Sequence, residues 1–122
     1  MAATDEQSGE ADGGRIWWSL SGGVLTVGMT GAAMSQVGEA EDVSLPEAGE
    51  SVSGGDILFS CEGSTGSYDW ACPLDATIKA VNPRVVEEPG TLNEDSLEEG
   101  WLVKLEGLDE SQVSSFCKKG KA

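Results

Sequence analysis

The chain reads as a mostly β, single-domain protein, and three observations carry that expectation. Its 122 residues include 17 glycines and 4 prolines, a density of turn formers that suits many short strands better than long helices. Apolar runs such as Val24-Leu25-Thr26-Val27 and Trp101-Leu102-Val103-Lys104-Leu105 are short and closed off by glycine, as strands bounded by turns are. The length, with 39% hydrophobic residues, suits one small core and one domain.

Residues 1–14 carry four acids, no base and almost no bulky apolar side chain. They offer little burial to offset the entropy of ordering, so a disordered acidic leader is expected there. Ile16-Trp17-Trp18 and Leu20, the turn Ser21-Gly22-Gly23 and the run Val24–Gly28 form a predicted β-hairpin. Thr30 is placed to cap a short helix over residues 31–37, with Gly38 suited to its C-terminal stop. Alternation resumes in Ala40-Glu41-Asp42-Val43-Ser44-Leu45, where Val43 and Leu45 share one face of a strand. Pro46 ends it.

Glycines then bracket Val52, as two turns around a single inward anchor would require. Ile57-Leu58-Phe59 starts a strand that reaches a tip at residues 63–67, and Tyr68–Leu74 returns antiparallel. Pairing about Thr65-Gly66 would set Cys61 opposite about residue 70. Thr77–Val81 reads as a further strand, 82–84 and 87–90 as turn or loop chemistry, and Trp101–Leu105 as the closing strand. Asp109 and Gln112 form a capping-box-like pair for a C-terminal helix, with Leu108 and Val113 placed as a hydrophobic staple and Phe116 one turn on. Lys118, Lys119 and Lys121 then form a basic tail at the helix's negative end.

Charge and composition exclude several function classes. Twenty-two acids against seven bases give a net charge of −15, which disfavours nucleic acid as a partner and favours basic proteins. No Lys or Arg lies between Arg15 and Lys79, a stretch that holds nine acids. No apolar run is long enough to span a bilayer, and the N-terminal residues lack the basic and apolar regions of a secretion signal, so no membrane partner and a cytoplasmic location are expected. Cys61, Cys72 and Cys117 are odd in number and lack metal-ligand spacing, and the chain has no histidine, so neither a metal site nor a catalytic base stands out. No enzyme activity is expected.

Several separated segments are similar to the H protein of the glycine cleavage system. Thr26-Val27-Gly28-Met29-Thr30, Leu45-Pro46-Glu47-Ala48-Gly49, Asn93-Glu94-Asp95 and Gly100-Trp101-Leu102-Val103-Lys104 match in type and spacing across roughly residues 16–116. The resemblance implies a barrel-sandwich hybrid of the lipoyl/biotinyl-domain type, with a short internal helix and a C-terminal helix, over residues 15–117. It also implies lipoate, carried in amide linkage on a lysine in a Glu-Ser-Val-Lys-Ala tip. Here the tip reads Glu62-Gly63-Ser64-Thr65-Gly66.

Thr65 thus stands where the family keeps its lysine, and a secondary hydroxyl cannot form the lipoyl-lysine amide. Ala32 and the Ile16-Trp17 region stand where the family has histidines. Lys79 and Lys104 fall in other strands, so neither supplies the arm. The resemblance therefore points to a degenerate member without lipoate: a protein-interaction or regulatory module whose partners are glycine cleavage enzymes or lipoate ligase, met through an acidic surface. Glu62 is either a remnant of recognition by such partners or an exposed hairpin carboxylate. The alternatives are a thiol-based redox protein using Cys61 and Cys72, and a classical aminomethyl carrier, which Thr65 disfavours.

Overall fold

The structure, a computed structural model, describes residues 7–11, 13–72, 74–94 and 100–108. The elements run β1 (Gln7–Ala11), β2 (Ile16–Ser21), β3 (Val24–Met29), α1 (Gly31–Val37), β4 (Ala40–Ser44), β5 (Ser51–Val52), β6 (Ile57–Gly63), β7 (Ser67–Ala71), β8 (Ala76–Val81), α2 (Pro83–Glu87), α3 (Gly90–Glu94) and β9 (Trp101–Glu106). Among the described residues they form two antiparallel sheets, one ordered β1-β2-β3-β9-β8-β5 and one ordered β4-β6-β7. This is the mostly β, two-sheet architecture expected from the sequence.

Alternation in each strand decides which side chains face inward. In β2, Ile16, Trp18 and Leu20 are buried while Trp17 and Ser19 are half-buried on the other face, the period of two that a pleated strand imposes. Leu25 and Val27 of β3 and Leu102, Val103 and Leu105 of β9 join the same core. From the smaller sheet come Phe59 and Cys61 of β6 and Tyr68 and Trp70 of β7. Phe59 sits at the centre of this aromatic group, its ring centroid 6.2 Å from Tyr68 and 6.1 Å from Trp70 in tilted arrangements. Each large side chain so buried contributes roughly 1.5–3 kcal/mol.

Alpha1 lies against the end of this core through Ala33, Met34 and Val37, all buried. It stops at Gly38, whose φ of 83° is a left-handed conformation that glycine adopts without steric cost. Thr30 occupies the cap position, but its side chain makes no capping bond; its hydroxyl donates to the Gly14 carbonyl at 2.6 Å instead. The expected cap is thus diverted to tie the β1–β2 connection to α1.

Three expectations need correction. Residues 7–11 lie within the expected leader, yet they form β1, paired along its whole length with β2. Gly9 explains how so polar a segment is held: a Cβ there would lie 2.9 Å from the Trp18 ring, so only glycine lets the strand approach that tryptophan. Next, residues 82–84 and 87–90, expected as turn or loop chemistry, fall partly within two short helices, α2 and α3. Asn82 accepts from the Arg84 N–H at 3.1 Å and Pro83 fills the first helical position, a start signal that reads equally as a turn in sequence. Finally, the tip hairpin pairs Cys61 with Tyr68 rather than with residue 70.

The expected C-terminal helix, Cys117 and the basic tail at 118–122 lie outside the described residues, as do residues 1–6 of the leader. Among the described residues no helix is long and apolar enough to cross a membrane.

Candidate functional site: the tip of the β6–β7 hairpin

Beta6 and β7 converge through the pairs Ser60–Asp69, Cys61–Tyr68 and Glu62–Ser67. The Gly63 N–H then donates to the Gly66 carbonyl at 2.9 Å, leaving Ser64 and Thr65 at the apex. The apex does not project freely. It is fastened to the C-terminal end of α1 and the turn that follows.

The end of a helix leaves its last carbonyls without partners inside the helix. Here the tip supplies them. The Thr65 N–H donates to the Val37 carbonyl at 3.0 Å and the Ser64 N–H to the Glu39 carbonyl at 3.0 Å. The Thr65 hydroxyl reaches the Gln36 carbonyl at 3.3 Å, and the Glu39 N–H donates to the Ser64 Oγ at 2.9 Å. Gln36 closes the other side, donating from Nε2 to the Ser67 carbonyl at 3.0 Å while its Oε1 accepts from Arg15 Nε at 3.0 Å.

Glycine is required at this junction because the two backbones touch. A Cβ on Gly63 would lie 2.4 Å from Val37 Cγ1 and 2.5 Å from the Glu39 carbonyl oxygen, and one on Gly66 would lie 2.8 Å from the Gln36 carbonyl oxygen. A Cβ on Gly38 would meet Ser64 Oγ and Thr65 Oγ1, each at 2.6 Å. Three glycines from two sequence segments thus make a single joint.

The chemistry available at the joint is that of hydroxyls and amides. Glu62, Gly63, Ser64, Thr65 and Gly66, singled out in the sequence, do come together here. No His, Cys, Asp or Glu grouping among the described residues could hold a metal ion. Lys79 and Lys104 belong to β8 and β9 of the other sheet; Lys79 approaches Glu106 at 3.9 Å, and the Lys104 ammonium lies 5.0 Å from the centre of the Trp101 ring. Neither reaches the apex.

On the outer face of the three-stranded sheet, Asp42 stands opposite Glu62, and Asp69 is opposite Ser60. All three carboxylates are exposed. Like charges facing each other across a ladder cost stability, and β4, β6 and β7 hold no Lys or Arg of their own.

Cys61 and Cys72 are both fully buried and both free. Burial pushes the Cys61 thiol up to about 11, with Asp42 and Glu62 adding to the effect. Burial likewise pushes Cys72 up to about 11, partly offset by a backbone hydrogen bond with Leu74 and reinforced by Asp75 and Asp56. A nucleophilic cysteine needs the opposite shift.

Comparison with known proteins agrees with this architecture. A family model described as glycine cleavage H-protein matches residues 9–122. The chain belongs to the glycine cleavage H-protein family. It is 38% identical over 100 residues to the glycine cleavage system H protein of Thermotoga maritima, covering 82% of this chain and 81% of that protein. Against the H protein of Bartonella quintana the identity is 35% over 100 residues, covering 82% of each. The crystal structure of the H protein from Mycobacterium marinum superposes with a TM-score of 0.71 at 27% identity, covering 91% of this chain and 95% of that one.

The two-sheet fold is therefore the H-protein fold, the lipoyl-domain barrel-sandwich. H proteins are carriers rather than enzymes, normally loaded with lipoate and working with the glycine cleavage enzymes. Sequence reasoning located the tip but missed Gln36, Glu39 and Asn93, which lie within hydrogen-bonding reach of the joint or its support. Asn93 did carry a signal, as the first residue of Asn93-Glu94-Asp95, but nothing in that triplet says what it touches.

Proposed function

We propose that this H-family chain does not carry lipoate and acts as a docking or regulatory module for partners of glycine cleavage or of lipoate metabolism. The observation that carries the reading is Thr65 at the apex. Its side chain is short, its hydroxyl is engaged with the Gln36 carbonyl, and it offers no amine for a lipoyl amide. The residues at the tip do not fit the group that the family carries. Lys79 and Lys104 cannot replace the missing amine from the opposite sheet.

Docking draws on what the scaffold retains. The hairpin keeps a defined apex, and the adjoining sheet face presents Asp42, Glu62 and Asp69 from strands that hold no Lys or Arg. A field of one sign guides and orients a complementary, basic partner surface. Glu62 belongs to that face rather than to a proton-transfer site. The proposed setting is the cytoplasm.

Two measurements test the reading. Intact mass of the chain co-expressed with lipoate ligase and fed lipoate is expected to show the unmodified polypeptide; a single lipoyl addition overturns the lipoate-free assignment. A pull-down with the purified chain is expected to capture a glycine cleavage enzyme or the ligase. Capture of none of them removes the docking role.

A further inference from the structure

The strap between α1 and β4 is gripped from two sides. In extended backbone, one residue's N–H and C=O point to one side and its neighbours' to the other. The Glu39 N–H and carbonyl both face the tip, bonding Ser64 Oγ at 2.9 Å and Ser64 N at 3.0 Å. The flanking groups face away, and one side chain takes both. Asn93 of α3 accepts from the Ala40 N–H through Oδ1 at 2.8 Å and donates through Nδ2 to the Gly38 carbonyl at 2.8 Å.

A primary amide is matched to this task. It offers an acceptor and a donor in one plane, so Asn93 stands in for a neighbouring strand along a stretch too short to have one. Aspartate has the same shape and keeps the acceptor, but at neutral pH it has no donor for the Gly38 carbonyl. Gly38 needs such a hold because its left-handed φ of 83° lies at the point where the helix ends and the strap begins. More than fifty positions separate Asn93 from the strap in sequence, so the support is purely tertiary.

We propose that Asn93 is a positioning residue for the tip: by bridging the Gly38 carbonyl and the Ala40 N–H, it keeps the Glu39 peptide turned toward Ser64 and so sets where residue 65 is presented. This rests on reading the tip as the element shown to a partner. Both hydrogen bonds of the Asn93 amide go to the strap rather than to the apex. Its effect passes through Glu39.

Amide hydrogen exchange and amide chemical shifts of the isotopically labelled full chain test this in wild type, N93A and N93D. In N93A, exchange at Ser64 and Thr65 is expected to be at least about tenfold faster, and their shifts to move, while Val27 and Val103 in the other sheet keep wild-type rates. N93D is expected to change the same two amides, and it preserves side-chain volume if N93A folds poorly. Wild-type exchange at Ser64 and Thr65 in both variants overturns the proposal. So does uniform acceleration across both sheets, which would mark Asn93 as a general stabiliser. Because exchange is read on the isolated chain, a pull-down that captures no partner defeats the docking role without altering this result.

Discussion

At position 65 the side chain contributes little to holding the joint, because the backbone N–H makes the firmer bond to the Val37 carbonyl and the hydroxyl only a longer one to Gln36. Thr65→Lys is therefore expected to fold with a loss below about 1 kcal/mol, measured by urea unfolding. Supplied with ligase and lipoate, this variant tests whether the surface around the apex still supports modification, and the expected outcome is a gain of one lipoyl mass. The thiols give a second residue-scale prediction. A thiol pKa raised in the fold leaves stability untouched below the unfolded value of 9.0, and stability falls as pH rises toward about 11, because only the unfolded chain releases the proton in that window. The loss is about 2–3 kcal/mol per thiol at most. Urea midpoints followed from pH 8 upward should decline more shallowly in Cys61→Ala than in wild type, and Cys61 and Cys72 of the native protein should resist alkylation at neutral pH.

Elements meet at the joint of α1 with the β6–β7 hairpin, and glycine decides whether they can. Gly38→Ala adds a methyl to a left-handed residue and pushes it against Ser64 and Thr65. Gly63→Ala drives one into Val37 and the Glu39 carbonyl. Each is expected to cost about 2–4 kcal/mol, read by urea unfolding, with Gly63→Ala the worse because it meets backbone that cannot swing aside. Gly49→Ala is the control for conformation alone: its φ is 94°, but a Cβ there meets nothing within 4 Å, so the loss should be smaller. The same joint explains the register. Closure of Gly63 on Gly66 centres the hairpin on Ser64-Thr65, whereas the sequence expectation took pairing about Thr65-Gly66. That shift moves Cys61 opposite Tyr68, leaves Cys72 beyond the end of β7, and removes the geometric basis for pairing the two thiols across the hairpin.

Across the whole molecule, a charge of −15 on 122 residues makes the folded state repel itself. Raising NaCl from about 20 mM to about 200 mM shortens the range of that repulsion, so the midpoint of thermal unfolding is expected to rise. The same salt should weaken capture of a basic partner, since screening acts on the attraction as well. Opposite responses of stability and binding to one variable would separate the acidic face's cost from its use; binding that ignores salt would count against that face as the docking surface.

Strand periodicity with glycine and proline placement was enough, from sequence alone, to name a mostly β chain and α1 with its stop at Gly38, because each is written in local pattern; the barrel-sandwich fold and the standing of Thr65 at the attachment position followed from the resemblance of the family segments. Sequence also determined that residue 65 brings no amine. Tertiary structure alone decided that Gln7–Ala11 is a strand, since its place depends on Gly9 meeting the Trp18 ring, and that Asn82-Pro83 opens a helix rather than a turn. It alone showed that the apex is held down, through Gln36, Glu39 and Asn93. Those contacts join residues some 25 to 55 positions apart, and a hydrogen bond between such distant residues leaves no periodicity in the chain that makes it.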